Sequence, residues 1–175
     1  YTGLSYKVVK EKNEFLKSYG CYVVIYIPSH HQHRPPMYEG LPTLEAHRNA
    51  SLTAILTEAK MLDCDEICFG DAYCSEEEIR YADIVITGEG KLDHQTIMGK
   101  APIGIAKLAK KYCKPVIAFC GIADDGAEIC NEHGIDAYFP ILQNMTSLEE
   151  AMDKKNAYMN LKNTATQVLR LIIKE

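Results

Sequence analysis

The run 83-DIVITGEGKLDHQTIMGKAPIGIAKLAKKY-112 decides the fold class of this chain. Ile84 to Thr87 are apolar or β-branched, as in a parallel strand covered on both faces, so a strand is expected over 83–88. Gly88-Glu89-Gly90 then opens a polar loop carrying Lys91, Asp93, Gln95 and Thr96. Gly99-Lys100 leads into a helix over 102–112, with Pro102 near the first turn, where a missing N–H costs nothing. The next strand, 115-PVIAFCG-121, follows at once. Strand, loop, helix, strand is the repeat of a parallel α/β sheet.

The same alternation continues on either side. Further strands are expected over 21–27, 66–70 and 136–141, and further helices over 6–18, 51–62, 124–133 and 148–173. Ser75 with Glu78, and Ser147 with Glu150, have the spacing of capping boxes. Gly20 and Gly134 stand where helices should stop. The alternation fits a parallel, doubly wound sheet or a slice of a (β/α) barrel, and the reading taken is a parallel, doubly wound α/β sandwich of three layers and about five strands, forming one domain over 1–175. One segment breaks the rhythm: 28-PSHHQHRPPMYEGLPTLEAHRN-49 is a long polar loop at a strand's C-terminal end, where such sheets bind ligands.

Composition narrows the function classes. The 175 residues are 47% hydrophobic and 25% charged, ordinary for a globular protein. A net charge of −5 gives no basic footprint for nucleic acid and no polybasic stretch for anionic lipid. No apolar run approaches the roughly 20 residues that span a bilayer, and no signal peptide is expected from the opening residues. The first residue is Tyr1 and the opening is already patterned, so the N-terminus is expected to be cut from something longer. Seven cysteines without paired spacing argue against a disulfide framework and against structural zinc, and for buried reduced thiols in a cytoplasmic protein.

The loop after the strand is a candidate phosphate site. Glycines let a backbone approach a ligand, N–H groups at a helix start favour anions, lysine supplies a point charge, and Asp or Glu can hold Mg²⁺ against phosphate oxygens. It is no Walker loop, since Ala101 follows Lys100, and no dinucleotide fingerprint, since Asp93 stands where the third glycine belongs. The same residues also fit a glycine-rich turn with solvated charges.

The segment VITGEGKLDHQTIMGKAPIGIAKLAKKYCKPVIAFCG, continued by NEHGIDAYFPI and 146-TSLEEAMDKKNA-157, closely resembles bacterial glycerate kinases over about 81–175. The resemblance implies transfer of the γ-phosphoryl of ATP to glycerate with Mg²⁺. It makes Lys91, Asp93 and Lys100 candidate catalytic residues. Gly88, Glu89, Gly90, Gln95, Thr96 and Gly99 become candidate nucleotide-binding residues, and Glu89 and Asp93 candidate metal ligands. Lys91 or Lys100 would neutralise phosphate charge, and Asp93 or Glu89 would hold the metal or orient the nucleophile.

The first 80 residues point elsewhere. The stretch 22-YVVIYIPSHHQHRPPMYEGLPTLEAHRNASL-52, with YEGLPTLEAHR as its most specific part, and 64-CDEICFGDAYCSEEEI-79 resemble the 6-phospho-N-acetylmuramidases, (β/α)-barrel glycoside hydrolases. The chain therefore reads as a chimera, barrel-derived over 1–80 and glycerate-kinase-like over 81–175, joined in one flavodoxin-like sandwich. Glu39, Glu45, His47, Arg48 and Asp71 could serve a sugar-phosphate glycosidase, yet a fraction of a barrel favours plain loop residues. His30, His31 and His33 lack the partner spacing of a metal site. The partner is expected to be a small molecule, glycerate or a sugar phosphate. The rival functions are a glycosidase and a catalytically silent scaffold.

Overall fold

The computed structural model describes residues 3–31, 33, 38–71, 74–142 and 144–172. They form two compact units, Tyr1–Glu78 and Ile79–Glu175.

The first unit runs α1 (Tyr6–Ser18), β1 (Val24–Ile27), α2 (Leu52–Ala59) and β2 (Glu66–Phe69). Val9 and Asn13, one helical turn apart, are the buried residues of α1. Val9 packs with Ile25, Leu44, Ala59 and Leu62, while the Asn13 amide donates to the Leu62 carbonyl at 2.7 Å. The helix ends at Ser18 and is closed off by Gly20, whose φ of +70° suits a residue without Cβ, while the Cys21 N–H returns to the Leu16 carbonyl. β1 and β2 pair in parallel from Val24↔Glu66 to Ile27↔Phe69. Ile25 and Ile27 face the core and Tyr26 is 51% exposed, so β1 is covered on one face, not two. Within the loop over 28–49, residues 45–47 make a short 3-10 turn, and part of the histidine-rich stretch lies outside the described residues.

The second unit carries β3 (Val85–Leu92), α4 (Ala101–Lys110), β4 (Val116–Ala123), α5 (Ile129–Glu132), β5 (Ala137–Pro140), α6 (Leu148–Met152) and α7 (Lys154–Ile172). Between β2 and β3 lies α3 (Glu76–Tyr81), whose start at Ser75 and Glu78 has the expected capping pattern. The sheet order is β3-β4-β5, all parallel. Five consecutive residues of β4, Val116 to Cys120, are buried, and side chains alternate along a strand, so both faces are covered. Ile117 and Phe119 meet Val168 and Ala165 of α7, and α4 turns Ile103, Ala106 and Ala109 inward.

Among the described residues the class, strand direction and strand number are as expected, but the strands divide into sheets of two and three instead of one sheet of five. The helix expected over 148–173 breaks at Asp153, which is extended and caps the next helix by accepting from the Asn156 N–H at 3.0 Å. All seven cysteines are free, yet only Cys120 and Cys130 are fully buried; Cys21 and Cys113 are exposed. Burial pushes the Cys68 and Cys120 thiols up to about 11, so neither is a thiolate at neutral pH. Among the described residues no helix is long and apolar enough to cross a membrane.

Candidate functional site

The strand expected to stop at Gly88 continues to Leu92. Gly88, Glu89, Gly90 and Lys91 are therefore strand residues, and the loop starts at Asp93. The ladder to β4, from Val85↔Val116 to Leu92↔Ala123, overrides the weak strand preference of the two glycines.

The loop is organised on the Asp93 carboxylate. Oδ1 accepts the Gln95 N–H at 3.0 Å and the Thr96 hydroxyl at 3.2 Å, while the Asp93 N–H donates to Thr96 Oγ1 at 3.1 Å. Thr96 is wholly buried and Asp93 nearly so. Short aspartate and threonine side chains bond to nearby backbone in this way, which fixes a turn without regular structure. The chain then passes Gly99, at φ +100°, and enters α4 through Lys100, which has the extended backbone of an N-cap residue but no side-chain acceptor, so the helix start has no side-chain cap. Pro102 stands in the first turn, and the helix begins at Ala101, as expected.

Two ammonium groups reach this carboxylate. Lys91 Nζ lies 3.8 Å from Asp93 Oδ2, and Lys100 Nζ lies 3.7 Å from Oδ1. Lys91 has a closer partner that sequence reasoning missed, Asp124 Oδ2 at 2.6 Å. Asp124 follows the end of β4, and its N–H donates to the Leu92 carbonyl at 2.9 Å. The signal that could have found it is an acid directly after the strand paired with β3. The Asp124 hydrogen bond and charge raise the Lys91 pKa. Burial pushes Asp93 up, but Lys100, the Thr96 hydroxyl, the Gln95 N–H and Lys91 outweigh it and hold the carboxyl below its usual value. Asp124 is held low as well, first by its hydrogen bond to Lys91.

The structure thus brings Lys91, Asp93, Gln95, Thr96 and Lys100 together. Gly88 and Glu89 instead line a groove of about 310 Å³ with Phe119, Gly121, Ile141 and Leu161, and among the described residues Glu89 makes no ion pair with the Asp93 cluster. Gly90 has no atom within 4 Å of a Cβ built on it. Among the described residues no three His, Cys, Asp or Glu gather as a metal cage.

In the first unit, Arg48 pairs with Glu45 at 2.6 and 2.8 Å and with Glu39 at 3.6 Å, and donates to the Gly40 carbonyl. Both acids are thereby tied to one guanidinium. Asp71 accepts the Ser29 N–H at 2.8 Å. His30 and His33 each place Nε2 against a backbone carbonyl, of Ala50 at 2.6 Å and Ser29 at 2.7 Å. The buried Glu78 accepts from the Ser29 hydroxyl and from the His30 and Ser75 N–H groups. Burial pushes its carboxyl up, and those donors together pull it below the usual value.

The chain belongs to the glycerate kinase family, whose model matches residues 50–173. The match begins upstream of the stretch near 81 where the resemblance first becomes legible. A second family model, 6-phospho-N-acetylmuramidase, N-terminal, matches residues 1–83. A glycerate kinase from Haemophilus influenzae is 45% identical over 94 residues, 54% of this chain and 24% of that protein. The glycerate 2-kinase of Escherichia coli (strain K12) is 48% identical over 86 residues, 49% of this chain and 22% of that protein. The chain spans about a quarter of the length of these relatives. A solved structure described as putative glycerate kinase 2 from Salmonella typhimurium LT2 is 34% identical, covering 75% of this chain and 34% of that one, with a TM-score of 0.39.

Proposed function

We propose that this chain is a glycerate-kinase-like phosphotransferase fragment that binds the phosphates of ATP with Mg²⁺. The observation that carries the reading is the convergence of Lys91 and Lys100 on the Asp93 loop at the C-terminal end of a parallel strand. Lysine gives a point charge for phosphate oxygens, whereas the start of α4 adds little, because Pro102 has no N–H and the Ile103 and Gly104 N–H groups donate to the Lys100 carbonyl. Mg²⁺ keeps several waters and takes one or two carboxylates plus phosphate oxygens. Asp93 and Asp124, which share the Lys91 ammonium, suit that requirement, with Glu89 the alternative ligand. The metal would neutralise charge on the transferring phosphoryl group. Gln95, Thr96 and Gly99 shape the loop, while Gly88 and Gly90 keep the adjoining strand open to a nucleotide.

The acceptor in this reading is a small molecule, glycerate, and the setting is the cytoplasm. The two family matches at opposite ends support a chimeric origin. A sugar-phosphate glycosidase in the first unit is the second reading, favoured by the match over 1–83 and opposed by the engagement of Arg48 with Glu39 and Glu45.

Calorimetry with Mg·ATP tests the proposal. Binding that weakens about tenfold or more in Lys91→Ala is the expected result for a lost charge-assisted contact. No binding of Mg·ATP or of tripolyphosphate would sink it. Turnover of a 6-phosphomuramyl glycoside would move the activity to the first unit.

A further inference from the structure

Asp124 belongs to none of the residues that the sequence motif supplies, yet it makes the shortest contact in the cluster. Its N–H donates to the Leu92 carbonyl at 2.9 Å, and its Oδ1 accepts the Asp125 N–H at 3.0 Å. With the carboxylate fixed by its own turn, Oδ2 is left to hold Lys91 Nζ at 2.6 Å. Asp93, by contrast, is engaged by Gln95 and Thr96 of its own loop. In this paired cluster two ammonium groups face two carboxylates, and the charges cancel.

Cancellation decides what the cluster attracts. A bare polyphosphate meets ammonium groups already neutralised and carboxylates that repel it. A polyphosphate that arrives with a divalent cation brings the charge those carboxylates favour, and the lysines are released to its oxygens. We infer that Asp124 is a specificity-determining residue that makes the site take metal-complexed polyphosphates in preference to bare ones. The inference rests on the phosphate-binding reading above. Asp124→Asn keeps the shape and an acceptor for the Asp125 N–H while removing the charge. The side chain is 52% exposed, so the substitution leaves the core untouched.

The experiment is calorimetry on the full chain with ATP in excess EDTA, with ATP in excess MgCl₂, and with tripolyphosphate under both conditions. The wild-type chain should prefer the magnesium form about tenfold or more, a factor in the range of one close charge pair near a protein surface. In Asp124→Asn, bare ATP and bare tripolyphosphate should bind about tenfold more tightly and the preference should shrink towards unity. Asp124→Ser, which removes the same charge without the amide, must show the same change, with the thermal midpoint of each variant near that of wild type. Equal wild-type affinities for the two forms would overturn the inference, as would variants that keep the wild-type preference. A wild-type chain that binds neither form removes the phosphate-binding reading itself, a pattern distinct from the other two.

Discussion

At position 47 an imidazole is buried completely. Nε2 of His47 meets Glu58 at 3.1 Å, and Nδ1 has no hydrogen-bond partner among the described residues. Burial lowers its pKa below the ordinary 6.5, against the opposing pull of Glu58. The unfolded chain therefore takes up this proton first as pH falls. Stability from this group is complete above the unfolded value and is lost as pH drops through the folded one. The urea midpoint should be lower at about pH 5.5 than at about pH 7.5, and His47→Gln should flatten that difference. An unchanged slope in the variant would assign the effect elsewhere. The carboxylates Asp65, Asp93, Asp124 and Asp136 cannot mimic it, since they are held below 3.8 and titrate at more acid pH. Legibility at this scale followed sequence distance. The Asp93, Thr96 and Lys100 group lies within one loop and could be read as a site. Asp124 and the His47–Glu58 pair come together only through tertiary structure, and residue type alone gave no sign of either.

Among the elements, β3 diverged most from what its sequence suggests. Gly88 and Gly90 read as a strand stop, because glycine is poor in strands, but seven paired positions with β4 carry the strand to Leu92. The fit is close at one point: a Cβ on Gly121 would lie 2.5 Å from the Gly90 carbonyl oxygen, whereas a Cβ on Gly90 would meet nothing within 4 Å. Gly121→Ala should therefore cost about 1–3 kcal/mol, the scale of overpacking a tight site. Gly90→Ala should be neutral or slightly stabilising, because alanine restricts the unfolded chain. Denaturant titration of the pair checks this, and equal losses in both would show that the strands do not approach as described. The helices were legible where caps and spacing agreed. α1 matches its expected span, and Ser147 with Glu150 forms the capping box foreseen. The break at Asp153 was hidden because the apolar pattern runs on through it, while the change of direction depends on one backbone conformation.

For the whole molecule, binding and catalysis make different demands. Phosphoryl transfer needs the nucleotide and the acceptor held in line, and loss of one reactant's orientation can forfeit roughly 7 kcal/mol or more of barrier reduction. The chain spans about a quarter of its relatives, and the cluster at Lys91 offers groups for one reactant. A coupled assay with glycerate and Mg·ATP should show no appreciable turnover. A rate near about 1 per second that disappears in Lys91→Ala or Asp93→Ala would reverse this view. The α/β class was legible from the alternation of apolar runs and amphipathic stretches. The division of five strands between two sheets was not, because strand neighbours depend on pairings that no local pattern records. That division has a consequence for cleavage of the chain. Each sheet consists of sequence-contiguous strands, and the boundary between units falls within the six-residue α3, outside both ladders. A cut of the chain within α3 would sever neither sheet's hydrogen bonding, so each ladder would keep its register on its own side of the nick.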